Sequence, residues 1–437
     1  MAFTKLNFLK SRGFKLFLTI WLVYIFYLDM FGSSCVANSQ SALTAAIVNE
    51  GRFEIDTYHR ASCDVAFYDG HYYSGQSPGL SFISVPLYAA SKPIFHLLPQ
   101  GLIDSLFEKL ENYGSTLPLD FEGRKKIPSN YFPDLSKRQV LEYILISGFI
   151  LPIFTTALIS TLSALLVYLI LKRFTGNEGL RIVITVFYAF GTILFRTSTQ
   201  FLQRPIAIAL MLAAFSVLFM IRHKELKPKS STLFSVGIAA GFSAWFDYYH
   251  LFASGLLFLY LLSFHASKKA KANILFFILG ISIPVLLLLL YQFIAFDDPF
   301  VISYKYKLGT PHDVTGFFEI RLPSTSTLFH MLEFFLHSPI ILLAIYAVYR
   351  ALLKKDKYYH DALAVWIFII ATTIYTIVIS LAYPVSLAPS FKRYMTPISP
   401  YAMIFLPYIL NNANMNKKKA LKIIFFGLGI LSIFINW

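Results

Sequence analysis

The stretch LKRFTGNEGLR (171–181) sets three cations between two apolar runs, about 140–171 before it and 181–198 after it. The same arrangement recurs at RHKELKPK (222–229), HASKKAKA (265–272), RALLKKDK (350–357) and NMNKKKALK (414–422). Lysine and arginine collected in short connectors between apolar runs mark loops on the cytoplasmic side of a membrane. The 437-residue chain is 57% hydrophobic and only 14% charged, where a soluble domain carries about 25% charged residues. Several of its runs approach or exceed the roughly 20 apolar residues that cross a bilayer core. The reading is an all-α polytopic membrane protein. The net charge of +15 belongs to those connectors, not to a basic stripe that would track a phosphate backbone, so nucleic acid is excluded as a partner.

Placing the N-terminus and all five basic connectors in the cytoplasm gives eleven crossings. They fall at about 16–36, 140–171, 181–198, 205–221, 232–246, 249–264, 273–296, 334–351, 362–383, 397–412 and 421–437, with the C-terminus outside. The first follows Lys5, Lys10, Arg12 and Lys15 as a signal peptide would. It lacks a small-residue cleavage site and is too long for an h-region, so it reads as a retained anchor. The remaining connectors are then external: RTSTQFLQR (196–204), FDYYH (246–250), a loop at 297–333, and YPVSLAPSFKRYMTP (383–397). They are rich in Tyr, Phe, Pro, His and isolated charges, which gathers the chemistry on one face.

The whole chain, 1–437, reads as a single integral membrane domain with external loops at 37–139 and 297–333. Loops beyond about 12–15 residues are usually functional or disordered, and 37–139 is not low-complexity, so a folded element is expected. SALTAAIV (41–48) has helix-forming character. LSFISVPLYAASKPIFHLL (80–98) is apolar but interrupted by Pro86 and Pro93. As a further crossing it would turn every later loop over, so it is expected to lie in the membrane interface. The two cysteines, Cys35 and Cys63, fall in or beside this loop; a disulfide and two free thiols both remain open.

Within the loop, DVAFYDGHYYSGQSPGLS (64–81) is polar and carries a Pro-Gly hinge. Asp56, Asp64 and Asp69 stand near His59 and His71 and are candidate general bases, because a carboxylate within hydrogen-bond reach can take a proton from an acceptor hydroxyl. No motif requires a cofactor. A divalent cation, Mg or Mn, held by Asp64, Asp69 and His71 is an alternative from ligand type alone. Arg393 and Lys392, Arg204, and Lys305 and Lys307 are the external cations; arginine suits bidentate phosphate binding and lysine acts as a point charge. The acids of the crossings, Asp29, Glu142, Asp247 and Glu333, lie toward outer ends. A charge-free midplane argues against an ion-driven transporter.

Several stretches together resemble the multi-spanning GT-C glycosyltransferases, in particular the protein O-mannosyltransferase and aminoarabinose-transferase-like group. They are ALTAAIVNEGRFEIDTY (42–58) with DVAFYDGHYYSGQSPGLSFISVPLYA (64–89), YLILKRFTGNEG (168–179), YAFGTILFRTSTQFLQRPIAIALMLAAF (188–215) and FKRYMTPISPYAMIFLP (391–407). The resemblance implies inverting transfer of a sugar from a polyprenyl-phosphate carrier to a glycan, lipid or protein acceptor at the outer face. It implies a first-loop carboxylate as base. It also implies that the DGHYYSGQSPG segment, with His71, Tyr72, Tyr73 and Gln76, and the late Arg393, Tyr394 and Pro397 lie near the carrier phosphate, helped by Arg204 or Lys305. The chain departs from the family at Asn38-Ser39, where relatives have an Asp-Glu pair, at Gln76, where they have lysine, and at Arg204, where they have an acid or histidine. The base is then expected at Asp56, Asp64 or Asp69. The alternative is a non-catalytic lipid-linked-sugar binding protein or translocase.

Overall fold

Apolar chain removed from water must satisfy its own backbone, and a helix does so within one segment. The computed structural model describes residues 11–29, 34–117, 120, 123–265, 271–308, 332–382, 393–412 and 415–437. Among the described residues, helix stands in each of the eleven expected apolar segments. These helices are α1 (Arg12–Phe26), α6 (137–171), α7 (Glu178–Phe190) with the short α8 (Leu194–Ser198), α9 (Arg204–Arg222), α10 (Ser230–Phe246), α11 (Tyr249–Phe264) and α12 (Lys271–Phe296). They continue with α13 (Ile340–Lys354), α14 (Tyr359–Ala382), α15 (Ile398–Met403) with α16 (Leu406–Asn412), and α17 (Met415–Asn436). Five are long and apolar enough to cross a membrane: Lys137–Leu171, Arg204–Arg222, Lys271–Phe296, Tyr359–Val378 and Lys419–Asn436.

Local signals set several helix starts. Ser136 and Gln139 form a reciprocal capping box at the head of α6, and Asn177 accepts from Leu180 N at 3.1 Å at the head of α7. The expected first segment, 16–36, is cut short. α1 stops at Phe26, Asp29 N is bonded to Thr199 O at 2.9 Å, and Ser34 caps a new helix, α2 (Cys35–Glu50). Glycines set the tightest packing. A Cβ on Gly237 of α10 would lie 2.2 Å from Phe277 O, and one on Gly280 of α12 would lie 2.3 Å from Phe234 O. Small residues here let the two helix backbones touch.

Between α2 and α6 lie α3 (Gly79–His96), α4 (Gln100–Thr116) and the single turn α5 (Pro128–Tyr131). They pack with α2 on a core that includes Leu43, Tyr58, Tyr88, Phe132 and Tyr143 and runs on to Ile206 of α9, Trp245 of α10 and Phe296 of α12. The fold is mostly helical, and one short hairpin stands in this region. Val65–Tyr68 (β1) and His71–Ser74 (β2) form an antiparallel hairpin in the register Val65↔Ser74 to Tyr68↔His71. Its turn is Asp69-Gly70, both at positive φ (47° and 82°). Asp-Gly is the pair that a two-residue hairpin turn favours, since both central residues take left-handed geometry. Pro78 caps α3, and a Cβ on Gly79 would lie 2.6 Å from Trp245 O, so the glycine lets α3 start against the end of α10. Cys35 and Cys63 form a disulfide with Cα atoms 5.1 Å apart, tying the head of α2 to the chain just before the hairpin.

The two ends of the helix bundle differ in chemistry. At one end, Asp361 is fully buried and receives Tyr260 OH at 2.5 Å, His223 Nε2 at 2.8 Å and Arg222 Nε at 3.4 Å, which joins α9, α11 and α14. Arg173 pairs with Glu225 there, and Tyr358 donates to Arg173 O at 2.6 Å. The hairpin sits at the other end, beside the start of α9 and the junction of α10 with α11.

Candidate anion-binding site

The site is assembled from five separated parts of the chain. Asp64, 4% exposed, leads into β1, and its backbone N–H is held by Ser62 Oγ at 2.9 Å. Gly75 closes the other strand against it: Gly75 N donates to Asp64 O at 3.1 Å, and a Cβ on Gly75 would come within 2.5 Å of Asp64 Oδ1. Only glycine leaves room there for the carboxylate. Gln76 Nε2 donates to Asp64 Oδ2 at 2.5 Å, and Gln76 Oε1 accepts from Gln203 Nε2 at 2.7 Å. Lys307 Nζ forms an ion pair with Asp64 Oδ1. It is positioned by pairing of its own backbone with the hairpin, since Lys307 bridges Ala66 and Leu308 N bonds Val65 O at 2.9 Å.

Gln203 immediately precedes Arg204, the first residue of α9. Arg204 Nε donates to Asp247 Oδ2 at 2.8 Å, with both side chains largely buried, and its guanidinium lies 4.5 Å from the Tyr394 ring centroid. A guanidinium stacked on an aromatic face while paired through its edge is held in one orientation. Arg393, beside Tyr394, is near enough to Arg204, Asp64 and Tyr304 to feel their charges. Burial, and then the Arg204 charge, pull the Arg393 guanidinium below its ordinary range. No carboxylate among the described residues forms an ion pair with Arg393. Lys307 Nζ also lies over the Tyr304 ring at 5.4 Å, and Tyr304 packs edge-on to Tyr248.

Among the described residues, the cluster thus holds three cations, Arg204, Lys307 and Arg393, against two carboxylates, Asp64 and Asp247. Positive charge in excess in a buried place is costly unless an anion offsets it. A guanidinium oriented as that of Arg204 is, by a carboxylate and an aromatic ring, can offer its planar fork to two oxygens of a phosphate.

The other sequence candidates sit elsewhere. Asp56 accepts from Tyr72 N at 2.7 Å and His71 Nδ1 at 2.8 Å, pinning the hairpin from outside; its hydrogen bond, then its charge, raise the His71 imidazole above its ordinary value. Tyr72 stacks on His59 with ring centroids 3.9 Å apart, and Tyr73 OH donates to Glu54 at 3.3 Å. Asp69 is exposed at the hairpin turn. Asp64, Asp69 and His71 are not gathered for a metal, because Asp64 is at the base of the hairpin and the other two are at its tip. The intervening four-residue strand spans about 13 Å. No group of three or more metal-ligating side chains occurs among the described residues. Lys305, in the Ser303–Tyr306 turn, is exposed with Nζ 5.3 Å from the Tyr306 ring centroid, whereas Lys307 reaches Asp64. Lys392 lies outside the described residues. Sequence reasoning missed the partners Asp247 and Gln203; the only signal was a lone acid and a lone amide at apolar helix ends. No protein-family model matches the sequence, and no curated protein matches it recognisably.

Proposed function

We propose that the protein is a multi-pass membrane glycosyltransferase that takes a sugar from a polyprenyl-phosphate carrier and passes it, with inversion, to an acceptor hydroxyl outside the membrane. One observation carries this reading: Arg204 on Asp247, Lys307 on the buried Asp64, and Arg393 within reach of the charges of Arg204 and Asp64 cluster at one end of an apolar helix bundle. Arg204 and Arg393 hold the carrier phosphate and stabilise it as it departs, and Asp64 takes the acceptor proton. Of the three first-loop aspartates, Asp64 is favoured because it alone adjoins the cations. Eleven crossings with a cytoplasmic N-terminus are part of the proposal. The segregation of Arg173, Arg222 and His223 to the end opposite the cluster supports it. The exposed apolar side chains of Ile94, Leu97 and Leu102 at the α3–α4 corner suit the membrane interface.

Membranes containing wild-type protein should transfer radiolabel from a polyprenyl-phosphate sugar, and Asp64→Asn should abolish transfer while Asp69→Asn retains it. Transfer at the wild-type level in Asp64→Asn would remove Asp64 as the base. A second reading, a non-catalytic binding protein or translocase, is favoured by one feature: both Asp64 carboxylate oxygens are engaged, by Lys307 and Gln76. That reading gains if the carrier binds but no donor gives transfer.

A further inference from the structure

A concavity lies behind the segment that carries Asp64. It encloses about 720 Å³ between α2, α4, α5 and α6, a size within the range of small-molecule sites, about 300–1,000 Å³. Cys63 lines it and Asp64 does not, so the extended segment around Ser62 to Asp64 separates the two sites. α2 divides its faces in the same way. Asn38 and Ser41 line the cavity, while Ser39 turns to the hairpin and binds Ser74 Oγ at 2.8 Å and Gly75 N at 3.1 Å.

Three features specify what fits. The first is an aromatic wall, Tyr113, Tyr131 and Tyr143, of the kind that packs on the C–H face of a sugar ring. The second is a set of short polar groups. Ser147 Oγ is buried without a hydrogen-bond partner, and it lies in a π-helical turn, Ile146–Ile150, which displaces the α6 ladder at the cavity; such turns recur at functional sites. The third is charge. Asp120 is ion-paired with Arg124 at 2.9 Å, and Asp29 accepts from the neutral Gln200 amide at 2.8 Å, whereas Arg60 and Lys126 pair with no carboxylate among the described residues, which leaves two cations against the one unneutralised acid. Hydroxyl and amide groups in an aromatic cavity with two unpaired cations match a polyhydroxylated ligand that carries an anionic group.

We infer that this cavity binds an acidic saccharide, a glycan unit bearing a carboxylate or a phosphate, at a site separate from the Asp64 cluster. Arg60 and Lys126 hold the anionic group, and Tyr113 supplies the stacking face.

The probe is a tetrasaccharide alternating glucuronic acid with N-acetylglucosamine, titrated calorimetrically into the full-length protein in nanodiscs of neutral lipid. A neutral chitotetraose and added phosphatidylglycerol form the other two arms. The acidic tetrasaccharide should bind at least tenfold more tightly than the neutral one, and Arg60→Gln/Lys126→Gln should remove that preference. Tyr113→Ala, at a half-exposed position that leaves the core intact, should weaken both saccharides, and Arg393→Gln should leave binding unchanged. Equal binding of the two saccharides, or no binding of the acidic one, overturns the inference. So does loss of binding in Arg393→Gln, which would place the saccharide at the phosphate cluster. Displacement of the saccharide by phosphatidylglycerol would assign the cavity to a lipid headgroup and also overturn it.

Discussion

Gln76 donates to Asp64 Oδ2 at 2.5 Å while Lys307 pairs with the other carboxylate oxygen, so an amide aims the acid and an ammonium neutralises it. The family resemblance puts a lysine at position 76. Here the cation on this carboxylate comes instead from Lys307, 231 positions later (307 − 76). Lys307→Met should destabilise the protein by about 3 kcal/mol, because it leaves a charge buried without its partner. Adding Asp64→Asn should restore most of that loss. A double-mutant cycle on unfolding in detergent measures it, and additive effects of the two substitutions would show that the pair is not coupled.

Arg204 is fixed by Asp247 on its edge and Tyr394 on its face. Lysine keeps the charge but has neither the fork nor the flat surface. Arg204→Lys should therefore weaken binding of a phosphate-bearing lipid about tenfold, roughly the 1.4 kcal/mol of one oriented charged hydrogen bond. Unchanged affinity would mean that a point charge is sufficient there.

The exposed pair of His71 and Asp56 gives a pH signature. Its hydrogen bond and charge raise the imidazole pKa in the folded protein. The stabilisation is therefore fully present below the unfolded value, about 6.5, and is lost as pH rises through the higher folded value. An NMR titration of the His71 ring should have its midpoint above about 6.5, and Asp56→Asn should bring it back toward that value. A midpoint that Asp56→Asn does not move would assign the shift to another group.

Gly237 packs against the backbone of α12, with Phe277 O only 2.2 Å from where a Cβ would stand. Gly237→Ala should destabilise the protein by about 1–3 kcal/mol through forced separation of α10 and α12. Gly101, with nothing within 4 Å of a Cβ position, is the control and should tolerate alanine. Comparable thermal stability of the two variants would contradict the close packing.

The helices were legible because their signal is local: apolar runs bounded by basic connectors, as between α6 and α7 at 171–181. The break after Phe26 was not, because it depends on Asp29 being tied to Thr199, a contact between segments far apart in sequence. The hairpin was legible in principle from the Asp69-Gly70 turn pair, but its strands, Val65–Tyr68 and His71–Ser74, are only four residues each and too short for a clear alternating pattern. At the site, Asp64, Arg204 and Arg393 were legible as charged groups outside the apolar runs, whereas Gln76 and Tyr394 entered only through the family resemblance. Which groups pair was hidden, because Lys307 is positioned through Ala66 and Gln203 through the start of α9. Asp56, an equal candidate in sequence, instead pins Tyr72 and His71.

The proposed phosphate site is formed by Arg204, Arg393 and Lys307. Its most direct test is the affinity of the full-length protein in neutral-lipid nanodiscs for a polyprenyl monophosphate, compared between wild type and Arg393→Gln. Binding by the wild type that falls at least tenfold in Arg393→Gln, with a neutral polyprenol not bound, is the predicted result. Equal affinity of the two proteins for the phosphate, or of the wild type for phosphate and alcohol, would contradict it.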